Sequence, residues 1–255
     1  MLQKVGFFHF GTSHNDPKAA LERALDDARR GKEQPSGADN DPTDALIALP
    51  EAFNIGVSYR GEGDRNFERS ILRELQDVAG RFRVGFMAGL NIYERCGPQR
   101  PQPPHSAAYL IDGTGSTLMC YKVGPDDTVD RNYTPRRGKA DFHNPYRYQG
   151  AWVGALICVD GNFSPRMAPF LGDRRDSIVD GSRVVCILAH MAKGNLGNGK
   201  SGSSVALTSG WDNKTLVLAN SNPDGVDSFI TNGAGIILEP TVGGARNKIV
   251  TLPLA

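Results

Sequence analysis

The sequence predicts an α/β fold, a single domain built on a mixed sheet arrangement. Short apolar runs with strand character alternate along the chain with segments whose apolar residues recur at helical spacing. Asp112-Gly-Thr-Gly115 joins two apolar runs into a β-hairpin, which adds antiparallel pairing to that alternating order. No internal repeat of fixed period occurs, and no flexible linker is long enough to divide the 255 residues.

Taken in order, residues 4 to 10 make the first expected strand. Asp16 suits a helix N-cap and Pro17 the first helical position, after which Ala20, Leu21, Ala24, Leu25 and Ala28 form one apolar stripe. Residues 31 to 43 are polar and rich in Gly, Pro and Asp, and read as a surface loop. Ala45 to Leu49 is a short buried strand, stopped by Pro50 and followed at once by Glu51. Asp64 can cap a helix whose face is Phe67, Ile71, Leu72, Leu75 and Val78, with Gly80 near its end. A strand over 84–90 and a proline-rich loop over 96–104 precede the hairpin strands, 107–111 and 117–121. Lys122 lies just beyond the second of them. Residues 124 to 149 are mostly polar, a long connection of the kind that is usually functional.

The stretch from Ala151 to Phe163 opens as a buried strand. Trp152, Val153, Ala155, Leu156 and Ile157 give the near-continuous apolar run of a strand covered on both faces. It then meets Cys158 and, within three residues, the turn formers Asp160, Gly161 and Asn162. A short helix around 166–171 follows, then a strand over 184–191, a Gly-, Asn- and Lys-rich loop over 192–203 and a helix over 204–213. Strands at 216–219, 235–238 and near 249–252 complete the reading.

Composition narrows the function classes. Hydrophobic residues make up 39% and charged residues 22%, enough apolar surface for a sizeable core. With 29 basic and 28 acidic residues the net charge is +1, which argues against nucleic acid or an anionic membrane as the main partner. The opening residues are too short and mixed a run for a signal peptide, and no apolar run reaches transmembrane length. Four widely spaced cysteines, Cys96, Cys120, Cys158 and Cys186, fit free thiols in a reducing compartment, so the cytoplasm is the expected location.

Three strands end on residues able to do chemistry together: Glu51, Lys122 and Cys158. A thiol that titrates at its ordinary value of ~8.5 is a weak nucleophile at neutral pH and needs a base or a neighbouring cation. Glu51 can take the thiol proton and return it to a leaving amine. Lys122 can make the thiol more acidic and face a developing oxyanion, with the Val159 N–H as a second donor. Phe53, Tyr133 and His190 lie in segments near these three and are candidates for lining the substrate pocket.

Leu49-Pro50-Glu51-Ala52-Phe53, Tyr121-Lys122 and Leu156-Ile157-Cys158-Val159-Asp160 resemble, in order and spacing, the three signatures of the nitrilase superfamily of carbon–nitrogen hydrolases. The resemblance spans nearly the whole chain, residues 1–255 as one carbon–nitrogen hydrolase domain. It implies a four-layer α-β-β-α sandwich, a Glu51-Lys122-Cys158 triad and a covalent thioester or thioimidate on the cysteine. It further implies no metal or organic cofactor, and a homodimer or higher homo-oligomer. The family's second acidic residue falls best on Asp130, one methylene shorter than the usual glutamate, with a part in binding substrate. True nitrilases follow the nucleophile with Trp-Glu. Val159-Asp160 is nearer the amidase and carbamoylase type, which implies a small-molecule amide or N-carbamoyl substrate, with nitrile hydrolysis as the alternative. Two further alternatives stand: a catalytically inactive relative, and a nucleotide-binding protein using Gly194-x-x-x-x-Gly199-Lys200-Ser201, whose spacing matches a phosphate-binding loop.

Overall fold

Parity along each strand decides which layer a side chain joins, because successive residues point to opposite faces. In the computed structural model the described residues are 1–8, 17–30, 41–51, 53, 65–92, 105–123, 144–161, 173–189, 214–220, 228–232, 235–238 and 247–251. The first sheet contains β1 (Lys4–Phe8), β2 (Ala45–Leu49), β3 (Gly85–Ile92), β4 (His105–Asp112), β5 (Gly115–Tyr121) and β12 (Asn247–Thr251), in the order β12-β1-β2-β3-β4-β5. The second contains β6 (Tyr146–Tyr148), β7 (Ala151–Ile157), β8 (Val184–Ala189), β9 (Thr215–Asn220), β10 (Phe229–Asn232) and β11 (Gly235–Leu238), in the order β11-β10-β9-β8-β7-β6. Each sheet has three parallel strands at its centre, β1-β2-β3 and β7-β8-β9, flanked by antiparallel ones.

Helices α1 (Pro17–Arg29) and α2 (Arg65–Phe82) cover the outer face of the first sheet. Leu21, Leu25, Leu75 and Val78 pack there against Phe8, Ile47, Leu49 and Phe86. The residues of opposite parity, Val5, Phe7, Leu46, Ala48 and Met87, meet Ala155, Ile157, Ile187 and Val217 of the second sheet. Beyond that sheet, α3 (Asp173–Gly181) lies close on β7: a Cβ at Gly154 would sit 2.9 Å from Ile178. The layers therefore run α-β-β-α, as the resemblance implies.

Local chemistry accounts for the element ends. Helix α2 closes with a Schellman pair, Val84 N–H to Ala79 O at 3.0 Å and Arg83 N–H to Gly80 O at 3.3 Å, with Arg83 at φ 53° where glycine is usual. Lys214 caps α3, donating to Val179 O at 2.7 Å and Asp180 O at 3.1 Å. The hairpin turn is tied by Asp112 Oδ1, which accepts from Thr114 N–H at 2.7 Å and Gly115 N–H at 3.1 Å. Gly113 is required there, since a Cβ would lie 2.7 Å from Gly80 Cα of α2.

Three elements depart from the sequence reading. Tyr146–Tyr148 pairs with β7 inside what reads as one long connection; three residues are too few to show alternation. Phe229–Asn232 forms β10, again too short to show a pattern. Helix α3 buries Ile178 and Val179 and is otherwise mostly charged and polar, so it has no stripe to recognise. The helices expected over 166–171 and 204–213 lie outside the described residues.

Candidate active site

Glu51 stands two residues past the end of β2. It is 2% exposed, deep for a carboxylate. What lets it lie so close to β3 is Gly89, where a Cβ would meet Glu51 Cα at 2.7 Å and Pro50 O at 2.9 Å. The turn is fixed from the other side by Phe53, whose N–H donates to Gly89 O at 2.9 Å.

Lys122 reaches the site through an irregularity in β5. Ala108 pairs with Cys120 but Tyr109 pairs with Leu118, so Met119 is an extra residue, a β-bulge. Leu118 packs toward the helices, whereas Met119 and Cys120 both join the core between the sheets. The bulge thus resets the alternation and gives Lys122 the parity of Cys120, facing the second sheet. The ladder continues one step beyond the strand, Lys122 N–H donating to Ser106 O at 2.9 Å.

Ser106 and Lys122 are therefore cross-strand neighbours, and both hold the same carboxylate oxygen. Lys122 Nζ lies 3.1 Å from Glu51 Oε1, and Ser106 Oγ donates to that atom at 3.0 Å. Lys122 is 4% exposed. A buried ammonium and carboxylate in contact satisfy each other where either alone would be costly.

The cysteine comes from the other sheet. Cys158 follows β7 directly, is 4% exposed and begins a 3₁₀ turn, Cys158–Gly161. Its φ of 50° is left-handed, a conformation that side chains other than glycine rarely adopt and that recurs at functional turns. Two residues on, the buried Asp160 accepts a hydrogen bond from Val123 N–H at 2.8 Å through Oδ2. The cysteine turn is thereby tied to the residue next to Lys122. On β7 itself Ala155 is held by the Asn144 amide, which donates to Ala155 O at 2.6 Å and accepts from Ala155 N–H at 3.1 Å.

The other described thiols are placed differently. Cys186 lies inside β8, and burial pushes its thiol up to about 12. Cys120 lies inside β5, and burial, then the negative charge of Asp160, raise its thiol well above the ordinary range, partly offset by Asn144. Among the described residues no group of three or more His, Cys, Asp or Glu side chains is placed to hold a metal ion.

The structure thus brings Glu51 and Lys122 into contact and sets the Cys158 turn against the lysine segment. Val159 lies within that turn. Phe53 packs in the helix-side core. Asp130, Tyr133 and His190, together with Cys96 and the Gly194–Ser201 loop, lie outside the described residues. Sequence reasoning missed Ser106, Gly89 and the role of Asp160. Ser106 carried no usable signal, because the uninterrupted hairpin register puts His105 opposite Lys122 and only the bulge brings Ser106 there.

No protein-family model matches the sequence, and no curated protein matches it. Solved structures do. An amidase from Nesterenkonia sp. superposes with a TM-score of 0.63 at 19% identity, covering 99% of this chain and 91% of that one. A cysteine-to-serine variant of the Nesterenkonia AN1 amidase, described as from the nitrilase superfamily, gives a TM-score of 0.63 at 19% identity over 99% and 92% of the two chains. The fold is that of the nitrilase superfamily. A third similar structure, a glutamate-to-leucine variant of the same amidase, shows covalent addition of the acetamide moiety of fluoroacetamide at the active-site cysteine (TM-score 0.63, 19% identity, 99% and 91% coverage). In this nitrilase-like fold no helix among the described residues is long and apolar enough to cross a membrane.

Proposed function

We propose that this chain, residues 1–255 acting as one carbon–nitrogen hydrolase domain, is a cysteine-dependent amidase of non-peptide C–N bonds. The observation that carries the reading is the buried Lys122–Glu51 contact at 3.1 Å, beside a cysteine turn tied to Val123 at 2.8 Å. An ion pair sealed from water at a strand end serves catalysis better than it serves stability.

In this mechanism the Cys158 sulfur attacks an amide carbonyl as Glu51 takes the thiol proton. Lys122 and the Val159 N–H hold the oxyanion. Glu51 passes the proton to the departing nitrogen, the C–N bond breaks, and a thioester remains with ammonia or an amine released. A water then gives its proton to Glu51 and attacks the thioester; the C–S bond breaks, the acid leaves and the thiol recovers the proton. In the Nesterenkonia amidase variant the active-site cysteine takes up the acetamide moiety of fluoroacetamide covalently, which supports a nucleophilic cysteine here. Asp130 orients substrate or lysine, Tyr133 and His190 line the pocket, and Phe53 holds the Glu51 turn from beneath. Amide and N-carbamoyl substrates are preferred over nitriles because Val159-Asp160 follows the nucleophile. The protein works in the cytoplasm as a dimer-based homo-oligomer.

Ammonia release from a panel of amides, ureido acids and nitriles tests the reading. Cys158→Ala is expected to lower kcat by roughly 10⁶ while leaving the far-UV circular dichroism unchanged. Turnover retained in that variant rules out the mechanism, and turnover of nitriles alone refutes the substrate preference.

A further inference from the structure

The acid–base pair and the nucleophile belong to different sheets. Glu51 and Lys122 stand at the ends of β2 and β5 in the first sheet, whereas Cys158 stands at the end of β7 in the second. What joins the sheets is mostly apolar packing, which favours burial but sets no direction. Acyl transfer needs the reacting groups placed far more closely than that, and a misplacement near 1 Å can cost about 100-fold. A directional contact between the sheets at this end therefore matters.

Asp160 supplies one. It is 2% exposed and carries a carboxylate for which the proposed reaction has no use. Its Oδ2 accepts from Val123 N–H at 2.8 Å, joining the turn that begins at Cys158 to the residue after Lys122. The Cys120 thiol on β5 lies within its electrostatic reach.

We propose that Asp160 is a positioning residue for the acyl-transfer centre, its bond to Val123 holding the lysine-bearing strand end of one sheet in register with the cysteine turn of the other. The assignment rests on the hydrolase reading above. It differs from two blander roles that the same side chain can play, a local stabiliser of the 3₁₀ turn and a source of negative potential. The charge and positioning roles separate by sign, and the stabiliser role by the thermal midpoint. Loss of the negative charge alone makes Cys158 easier to ionise, whereas loss of register draws Lys122 away and makes it harder.

The test uses Asp160→Asn, which keeps an oxygen acceptor, Asp160→Ala, which removes it, and Asp160→Glu, which keeps the charge but lengthens the side chain. Each full-length variant is assayed for kcat and KM on an amide that the parent hydrolyses, for thermal midpoint, and for the pH profile of Cys158 alkylation by iodoacetamide. Positioning predicts that Asp160→Ala lowers kcat about 100-fold with KM within about threefold, and moves the alkylation midpoint upward. Asp160→Asn recovers kcat to within about tenfold and does not raise the midpoint, while Asp160→Glu loses rate despite its charge. Midpoints that fall in both Asp160→Asn and Asp160→Ala overturn the proposal in favour of a charge effect. A kcat that follows the thermal midpoint across all three variants overturns it in favour of plain stability. If Asp160→Ala fails to fold, Asp160→Glu decides, parental kcat overturning the proposal. If the parent hydrolyses no substrate in the panel, the hydrolase reading fails, and the alkylation profiles still decide what Asp160 does to Cys158.

Discussion

Two ion pairs of almost equal length sit at opposite extremes of solvent access. Lys122 and Glu51 approach to 3.1 Å with side chains 4% and 3% exposed. Arg83 and Asp44 approach to 3.2 Å with side chains 69% and 60% exposed. Geometry alone makes them equivalents; water makes them different objects. The exposed pair is screened and contributes about 0–1 kcal/mol. The buried pair has lost its hydration, so each charge depends on the other, and the protein spends stability to keep it. A feature retained at that cost needs another reason, and the position of this pair beside the cysteine turn provides one.

The largest effect expected comes from breaking the buried pair on one side. Lys122→Met keeps the stem but leaves the Glu51 carboxyl buried without its partner, and chemical denaturation should show a loss of about 3–5 kcal/mol together with abolished turnover. Adding Glu51→Leu to that variant should restore much of the stability while activity stays absent, which separates the electrostatic burden from the catalytic use. Next comes Gly89→Ala. Its methyl would sit 2.7 Å from Glu51 Cα, against backbone that cannot rotate away, so a loss of about 1–3 kcal/mol and a fall in kcat are expected. Ser106→Ala removes one donor to Glu51 Oε1 and leaves Lys122 in place, so about 1–2 kcal/mol should be lost in chemical denaturation. The smallest effect sharpens the comparison from its other end. Arg83→Gly deletes the exposed pair yet relieves a left-handed side chain at the end of α2, and thermal melts should show a gain of about 0.5–1 kcal/mol. A measurable loss there would mean that the exposed pair is worth more than its setting allows.

How much of this was legible in the sequence depends on the length of the pattern carrying it. Ala45 to Leu49, the hairpin at Asp112 and the run ending at Ile157 announce themselves through apolar composition and turn residues, and the structure places strands there. Helix α3 and strands β6 and β10 are short or polar, with too little buried surface to impose a period. In the site, Glu51, Lys122 and Cys158 were visible because each follows a readable strand. Ser106 and Gly89 were not, because their roles come from what lies across the sheet. The bulge at Met119 is the sharpest case. Strict alternation over β5 would give Lys122 the parity of Leu118 and turn it toward the helices; one extra residue reverses that, and nothing local in Thr117-Leu-Met-Cys-Tyr121 marks it.

The strand order also bears on how the molecule comes into being. β12 lies on the outer side of β1, antiparallel, with Phe8 opposite Asn247 and Lys4 opposite Thr251. The first sheet is therefore sealed by the last of the described strands to leave the ribosome, while its other strands are all made before the second sheet begins. Until then β1 presents an unpaired backbone edge, an open invitation to strands of neighbouring nascent chains.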